Sequence, residues 1–267
     1  MKRLNLSPTG YYNYLNNRKA EYHLHKGKVL NEIKRIYHET GGILGHRSMR
    51  VFLSRIGIML SKRTVHKYMN TELGLISISR RNRPRYKKSQ PHERFPNLLN
   101  QNFTVLAKNR VWCSDFTYIK LTNGLFRYNC SIIDLFDRSA IATVTGKWIT
   151  SDLAIKTLKK AILSQGINPS TLIFHTDQGV QYTSLDFTSF CKAHKITQSM
   201  NRAGCPCDNA PMERFFNTLK TELINRYHFR TDEELSTAIN EFVYVWYNQV
   251  RPHSYNKYLT PMEARTN

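Results

Sequence analysis

The sequence predicts an α/β protein with a mixed five-stranded sheet, preceded by a small all-α region. The first 110 residues combine helical periodicity with a large excess of basic side chains, whereas β-rich segments begin only at residue 111. Three strand-like segments then follow one another without an intervening helix. After them helical and strand-like segments alternate, which is typical of a sheet with helices on its faces.

Basic residues are concentrated in the first part of the chain. The 267 residues have a formal net charge of +21, and residues 1–110 hold 23 Lys and Arg against 5 Asp and Glu. A basic arm joined to a nearly neutral body is typical of nucleic-acid binding proteins, although ribosome-associated or membrane-surface proteins share such an excess. No apolar run reaches the roughly 18 residues of a membrane span and no secretory signal is evident, so we expect a cytoplasmic protein without a membrane partner.

Residues 1–79 are predicted to form a helical DNA-binding region. A helix with Val29, Ile33 and Ile36 on one face precedes two short amphipathic segments on either side of Gly57. This pattern favours a helix-turn-helix whose second helix enters a major groove, and a small helical bundle with a basic surface would share it. The candidate DNA contacts in the second segment are Lys62, Arg63 and Lys67.

Residues 80–108 are predicted to form a basic linker. Residues 80–94 contain seven basic side chains and two prolines but no apolar periodicity. An extended segment of this kind could lie along DNA phosphates, and a solvated charge run would look similar. The candidate phosphate contacts are Arg80, Arg81 and Arg83.

Residues 109–230 are predicted to form the α/β core. Thr122-Asn123-Gly124 predicts a type I′ hairpin turn between the first two strands. Ser151 is the candidate cap of the helix that follows the third strand. The predicted strands are residues 111–119, 126–133, 140–145, 171–177 and 196–199.

A helix near the end of this core carries several polar residues on one face. Asp208 is a candidate cap for its free N–H groups, and Pro211 fits its first turn. At 3.6 residues per turn, Asn209, Glu213 and Lys220 project from the same face. Ordinary solvated helix faces also show such a stripe.

Residues 231–267 are predicted to form a C-terminal helix and tail. The segment that starts at Thr231 is a capping box before an apolar helix. Its aromatic cluster, Tyr244, Trp246 and Tyr247, fits core packing better than a base-stacking platform. Arg251-Pro-His253 is polar and could reach a phosphate.

Three acids outside the basic arm are the strongest candidates for a reactive site. Asp115 lies in the first strand, Asp177 ends the fourth and Glu213 lies on the later helix. Strand ends and an adjoining helix can bring such residues to one edge of a mixed sheet. Carboxylates a few ångströms apart repel each other and call for a cation, and oxygen ligands favour Mg²⁺ or Mn²⁺. Two such ions about 4 Å apart could clamp the attacking and leaving oxygens of a phosphoryl transfer.

The segments around these acids resemble the catalytic motifs of bacterial insertion-sequence transposases of the retroviral-integrase superfamily. They are Trp112-Cys-Ser-Asp-Phe-Thr-Tyr-Ile, Phe174-His-Thr-Asp-Gln-Gly-Val-Gln-Tyr-Thr-Ser and Asp208-Asn-Ala-Pro-Met-Glu-Arg-Phe-Phe. The 35 residues between Asp177 and Glu213 match the spacing usual in that superfamily. Tyr247-Asn-Gln-Val-Arg-Pro-His-Ser and Gly45-His-Arg-Ser resemble its C-terminal and helix-turn-helix segments, so the resemblance covers nearly the whole chain.

This resemblance implies a ribonuclease-H-like catalytic fold and a Mg-dependent polynucleotidyl transferase. Asp115, Asp177 and Glu213 would hold two Mg²⁺ or Mn²⁺ ions, with Asp115 bridging both. Lys220 and Asn209 are the expected contacts to the element's terminal DNA. The implied partners are the terminal inverted repeats, target DNA, further copies of this chain and an upstream-frame DNA-binding protein, which would make this chain the second-frame catalytic subunit.

Parts of the sequence depart from the family pattern. Cys205 and Cys207 stand before the Asp-Asn pair, and Asn256-Lys257 replaces an expected Leu-Gly. These departures concern loops and leave the three acids in place. Two alternatives to a transposase are a nuclease of the same fold that only hydrolyses DNA, and a DNA-binding regulator without catalysis.

Overall fold

The computed structural model describes residues 11–13, 19–78 and 94–266. The chain divides into two compact units, Met1–Ser79 and Arg80–Asn267. Of the helices in the described residues, none combines the length and the apolar character needed to cross a bilayer.

Residues 20–72 of the first unit form a series of helices. These are α1 (Ala20–Glu39), α2 (His46–Arg55) and α3 (Lys62–His66), which continues in π-helical turns over Lys67–Glu72. Gly57 makes the turn between α2 and α3 at a φ of 82°, a left-handed conformation that favours glycine. The Ser61 Oγ accepts a hydrogen bond from the Thr64 N–H and caps α3. The predicted pair of short helices around Gly57 is therefore confirmed.

Apolar side chains from all three helices meet in the core of this unit. Their spacing follows the helical periodicity of the sequence, which leaves the basic side chains on the outside. The buried residues are Val29, Ile33, Ile36, Leu44, Met49, Leu53, Val65, Tyr68 and Met69.

The second unit is organised around one mixed sheet with the strand order β3-β2-β1-β4-β5. β1 pairs with β2 and β2 with β3 in antiparallel fashion, whereas β4 runs parallel to both β1 and β5. The predicted mixed five-stranded sheet is confirmed. The strands are β1 (Val111–Lys120), β2 (Phe126–Asp134), β3 (Ala140–Gly146), β4 (Ile173–Thr176) and β5 (Thr197–Met200).

The hairpin between β1 and β2 lies where the sequence predicts it, but the prediction of a type I′ turn is wrong. A type I′ turn needs a positive φ at both central residues, and here Gly124 has a φ of 85° while Asn123 has a negative one. The Gly124 N–H donates to the Leu121 carbonyl, and the Asn123 side chain accepts from the Leu125 N–H. The loop is thus one residue longer than a two-residue turn and uses the glycine at its end.

Helices cover both faces of the sheet. α4, α5 and α6 pack on one face around Trp112, Phe174 and Tyr182, whereas α7 and α8 pack on the other around Cys113. The cap of α4 is Thr150, which accepts from the Leu153 N–H, and not the predicted Ser151. The helices are α4 (Ser151–Gln165), α5 (Val180–Thr183), α6 (Leu185–Ala193), α7 (Ala210–Leu219), α8 (Asp232–Glu241) and α9 (Pro261–Thr266); π-helical turns extend α7 over Lys220–Ile224 and α8 over Phe242–Val250.

The C-terminal segment packs into the same core as β1 and α7. Tyr247 is buried there against Phe215, which supports core packing for the aromatic cluster. Arg251 pairs with the Glu222 carboxylate, and His253 is buried against the Tyr247 carbonyl. These contacts make Arg251 and His253 part of the packing of this unit, so the suggested phosphate contact has no support from their placement.

Candidate active site

Asp115 lies within β1, and Asp177 directly follows the last residue of β4, the strand beside it. β1 and β4 pair in parallel with Cys113 opposite His175, and the same register extended by two residues places Asp115 level with Asp177. Adjacent strands are about 4.8 Å apart, and side chains two residues on return to the same face. Both carboxylates therefore point to the face of the sheet that α7 covers.

Backbone groups orient both carboxylates. The Phe116 N–H donates to the Asp115 Oδ1 at 2.7 Å, and the Gly179 N–H donates to the Asp177 Oδ1 at 3.0 Å. Both residues are intermediate in burial, neither fully buried nor fully exposed.

The two aspartates share an environment that disfavours their ionised forms. Burial, followed by the charges of Asp177 and Glu213, raises the pKa of Asp115 well above its ordinary value, against the opposing charge of Lys220. Burial likewise raises the pKa of Asp177. A nearby cation would relieve this cost.

The residue before Asp115 points to the opposite face of the sheet. The Ser114 Oγ lies 2.7 Å from the Tyr182 hydroxyl and donates to the Ser131 carbonyl at 3.1 Å. These contacts tie the back of β1 to α5 and β2.

Asn209 and Glu213 approach β1 from the start of α7. The Asn209 Nδ2 donates to the Ser114 carbonyl at 3.3 Å, and Glu213 lies one helical turn further on the same face. Asn209 is only 3% exposed, and its Oδ1 is one of three buried side-chain polar atoms in the described residues that have no hydrogen-bond partner. An unpaired buried acceptor is costly unless a ligand donates to it.

Asp208 anchors this end of α7 and is not the predicted cap. Its side chain is fully buried, and no side chain caps α7 at Asn209. Arg202 contributes its N–H, Nε and Nη2 to the Asp208 carboxylate, each at 3.0 Å. The side chains of Asn97 and Gln101 donate to it at 2.9 and 2.8 Å. These donors, led by the Arg202 guanidinium, hold the pKa of Asp208 well below its usual range.

His175 connects Asp208 to the parallel strands. Its Nε2 faces two acceptors, the Asn201 Oδ1 at 2.7 Å and the Asp208 carbonyl at 2.9 Å, so the ring proton belongs on Nε2. The Ser199 hydroxyl then donates to Nδ1 at 2.8 Å. Because His175 is fully buried, its pKa is lowered and the ring stays neutral.

Lys220 lies on the far side of Glu213 along the same helix face. Its Nζ is 4.7 Å from the centre of the Tyr118 ring, and its charge lowers the pKa of Asp115. The helix face predicted from spacing therefore places an ammonium close to the acids.

The predicted basic contacts in the first unit remain predictions. Lys62, Arg63 and Lys67 are exposed along one side of α3 and the turn that follows it. Arg80, Arg81 and Arg83 lie outside the described residues.

The three acids approach one another without forming a closed metal cluster. Within residues 11–13, 19–78 and 94–266, no three His, Cys, Asp or Glu side chains converge closely enough to hold an ion as they stand. The electrostatic influence of Asp177 and Glu213 on Asp115 nevertheless places all three in one neighbourhood. Sequence patterns did not reveal the Asp208 anchor or His175, because both depend on partners far away along the chain.

Comparison with protein families finds one kind of domain in the second unit. Two family models, both described as an integrase core domain, match residues 106–206 and 194–261. Together they span β1 to the segment before α9.

Two relatives match almost the whole chain. The transposase for insertion sequence element IS904 of Lactococcus lactis subsp. lactis (strain IL1403) is 36% identical over 238 residues, which cover 88% of this chain and 93% of the relative. A 31 kDa protein of insertion element IS600 of Shigella sonnei is 31% identical over 261 residues, covering 97% and 95%.

A similar fold occurs in a solved viral assembly. The chain matches a simian T-cell lymphotropic virus intasome with a TM-score of 0.50 and 20% identity, covering 88% of this chain and 74% of the viral one. This likeness concerns the fold alone, and it agrees with the expected ribonuclease-H-like architecture.

Proposed function

The chain belongs to the insertion-sequence transposases of the retroviral-integrase superfamily, and on that premise we propose that Asp115, Asp177 and Glu213 direct cleavage and joining of DNA. Members of this family transpose DNA and are polynucleotidyl transferases. The proposal adds which residues act, with a divalent ion, at the element ends and at the target.

The observation that carries this proposal is the level placement of Asp115 and Asp177. Burial, together with the negative charges of Asp177 and Glu213, raises the cost of ionising Asp115. The charge of Lys220 offsets only part of this cost, because the pKa of Asp115 stays raised in its presence. This arrangement is what a cation-binding site requires.

The residues fit a hard divalent ion, Mg²⁺ or Mn²⁺. All candidate ligands are carboxylate oxygens, and the unpartnered Asn209 Oδ1 offers an acceptor for a ligand-bound water. Asp115, Asp177 and Glu213 would hold two such ions. When bound, such ions lower the pKa of an attacking water or hydroxyl and stabilise charge on the phosphate.

The chain's own residues would place the DNA. Asp115 and Asp177 are oriented by backbone N–H groups, so they need little rearrangement to hold an ion against a phosphate. Lys220 and Asn209 would hold the terminal strand beside Glu213. Basic residues of the first unit and the linker would bind the terminal inverted repeats and the target DNA, and this binding should weaken strongly as the salt concentration rises. The chain would act on DNA as a homo-oligomer, together with an upstream-frame DNA-binding protein.

Isosteric substitution of the three acids tests this proposal. Asp115→Asn, Asp177→Asn and Glu213→Gln should each lower cleavage and strand joining on terminal-repeat DNA by at least about 1,000-fold, because each removes a charge that holds the ion. DNA binding, measured by anisotropy, should change by less than about threefold because the basic residues remain. Joining that persists in any of the three variants would contradict the proposal.

The same assay separates the alternatives. An oligonucleotide with a free 3′ end and a target duplex should yield joined product with the wild type. Metal-dependent nicking without joined product would identify a hydrolytic nuclease, and binding without either reaction would identify a regulator.

A further inference from the structure

A groove lies where β3 ends and α4 begins. It has a volume of about 400 Å³, which is the size of a pocket for one small ligand or nucleotide. Its walls come from the last residues of β3, the connecting loop and the first turns of α4. The residues that matter here are Gly146, Lys147, Trp148, Thr150, Asp152 and Lys156.

Trp148 differs from the other tryptophans of the chain. It is 73% exposed, whereas Trp112 is fully buried and the Trp246 indole donates to the Glu222 carboxylate. A tryptophan this exposed leaves a broad aromatic face in water, and tryptophan is enriched at binding interfaces. Trp148 is therefore the free aromatic surface of this groove.

Two lysines line the same groove as Trp148. Lys147 precedes it and Lys156 lines the groove from α4, and both side chains are exposed. Asp152 is the acid among the lining residues, and it lies in the first turn of α4, where a negative charge favours the helix N-terminus. An aromatic face next to lysines is the combination that binds unpaired nucleic-acid bases and their phosphates.

The groove lies at the same end of the sheet as Asp115. Asp115 pairs with Ser131 and Ser131 with Thr143, while Gly146 lies three residues further along β3. With about 3.3 Å per residue and 4.8 Å between strands, the end of β3 is about 14 Å from Asp115. The acids point to the face covered by α7 and α4 packs on the other face, so a DNA end held at the acids would pass the end of β3 to reach the groove.

We propose that this groove receives an unpaired nucleotide of the DNA end, with its base stacked on Trp148 and its phosphate on Lys147 and Lys156. A base inside a duplex has no free face for an indole, so the ligand is a nucleotide outside the helix. This inference rests on the proposed function, because it places the ligand on the DNA that the acids would cut.

Tryptophan fluorescence tests the groove without any catalytic step. The full chain carrying Asp115→Asn is mixed, in metal-free buffer, with a blunt duplex or with the same duplex bearing three unpaired nucleotides at its 3′ or 5′ end. Overhang DNA should quench Trp148 emission and protect it from iodide, whereas blunt DNA should do neither. The better of the two overhangs identifies the strand.

Substitutions in the same background complete the test. Trp148→Ala should weaken binding of the preferred overhang DNA about 10-fold or more and leave blunt DNA unchanged, since stacking contributes that much per base. Trp148→Phe should restore most of the loss. Ile149→Ala, next to it and also exposed, is the matched control and should have no effect.

Two results would overturn the inference. Equal losses on blunt and overhang DNA would make Trp148 a general contact or a folding residue. A concentration-dependent change in Trp148 emission without DNA would assign the surface to a second copy of the chain. Because binding is read without cleavage, an inactive acidic site would not produce either result.

Discussion

The two sides of the acidic site are held in place by different means. On the strand side, Asp115 and Asp177 lie two residues beyond the last pair of the backbone ladder between β1 and β4, Cys113 and His175. On the helix side, Asn209 and Glu213 depend on the segment before α7, which is anchored through the buried carboxylate of Asp208.

This difference shows which substitutions the site can tolerate. A ladder of main-chain hydrogen bonds distributes the restraint over many residues, so no single side chain determines where Asp115 lies. The helix side collects five hydrogen bonds on Asp208, and its carbonyl receives a sixth from His175. Side-chain changes should therefore disturb the position of Glu213 more than that of Asp115.

Asp208→Ala should have the largest effect apart from the acids themselves. It leaves Asn97 and Gln101 without their acceptor, and removing one partner of a buried ion pair costs about 3–5 kcal/mol. Arg202 is 55% exposed and can be rehydrated, so we expect a loss of about 2–3 kcal/mol in the free energy of unfolding. Strand joining should fall about 10- to 100-fold through misplacement of Glu213. Denaturant unfolding and a joining assay measure the two effects.

Tyr182→Phe is the matched control on the strand side. It removes the hydroxyl that meets Ser114, but Ser114 keeps the Ser131 carbonyl as a partner. The free energy of unfolding should fall by about 1 kcal/mol, and joining should stay within about twofold of the wild type. An effect on joining as large as that of Asp208→Ala would remove the distinction between the two sides.

A smaller effect should appear in the metal-free protein. Because the pKa of Asp115 is raised on folding, the folded chain binds more protons, and the free energy of unfolding falls as the pH rises from the ordinary carboxyl pKa through the raised one. Asp115→Asn removes this loss, so the variant should melt at a higher temperature than the wild type near neutral pH and lose that advantage near pH 4. Thermal unfolding in EDTA measures this difference in melting temperature between the variant and the wild type. A difference that stayed constant between pH 4 and neutral pH would contradict the raised pKa of Asp115.

Local sequence patterns predicted most elements of this fold. The strand around Asp115, the helix break at Gly57 and the cap at Thr231 depend on neighbours within a few residues. The helix face shared by Asn209, Glu213 and Lys220 also follows from spacing alone.

Contacts between residues far apart along the chain could not be predicted from such local patterns. Aspartate is a common N-cap residue, which is why the sequence predicts a cap at Asp208. Its carboxylate instead accepts hydrogen bonds from Asn97 and Gln101, which lie more than 100 residues away along the chain. The level placement of Asp115 and Asp177 depends on the register of β1 against β4, which spacing does not specify. The exposure of Trp148 likewise depends on how α4 meets the end of β3.

The most direct test of the shared ion site is anomalous diffraction from crystals of the full chain grown with Mn²⁺. We predict a manganese peak between the carboxylates of Asp115 and Asp177, within reach of Glu213, and its loss in Asp115→Asn crystals grown in the same way. Manganese bound elsewhere, or no peak at these acids in the wild type, would contradict the assignment.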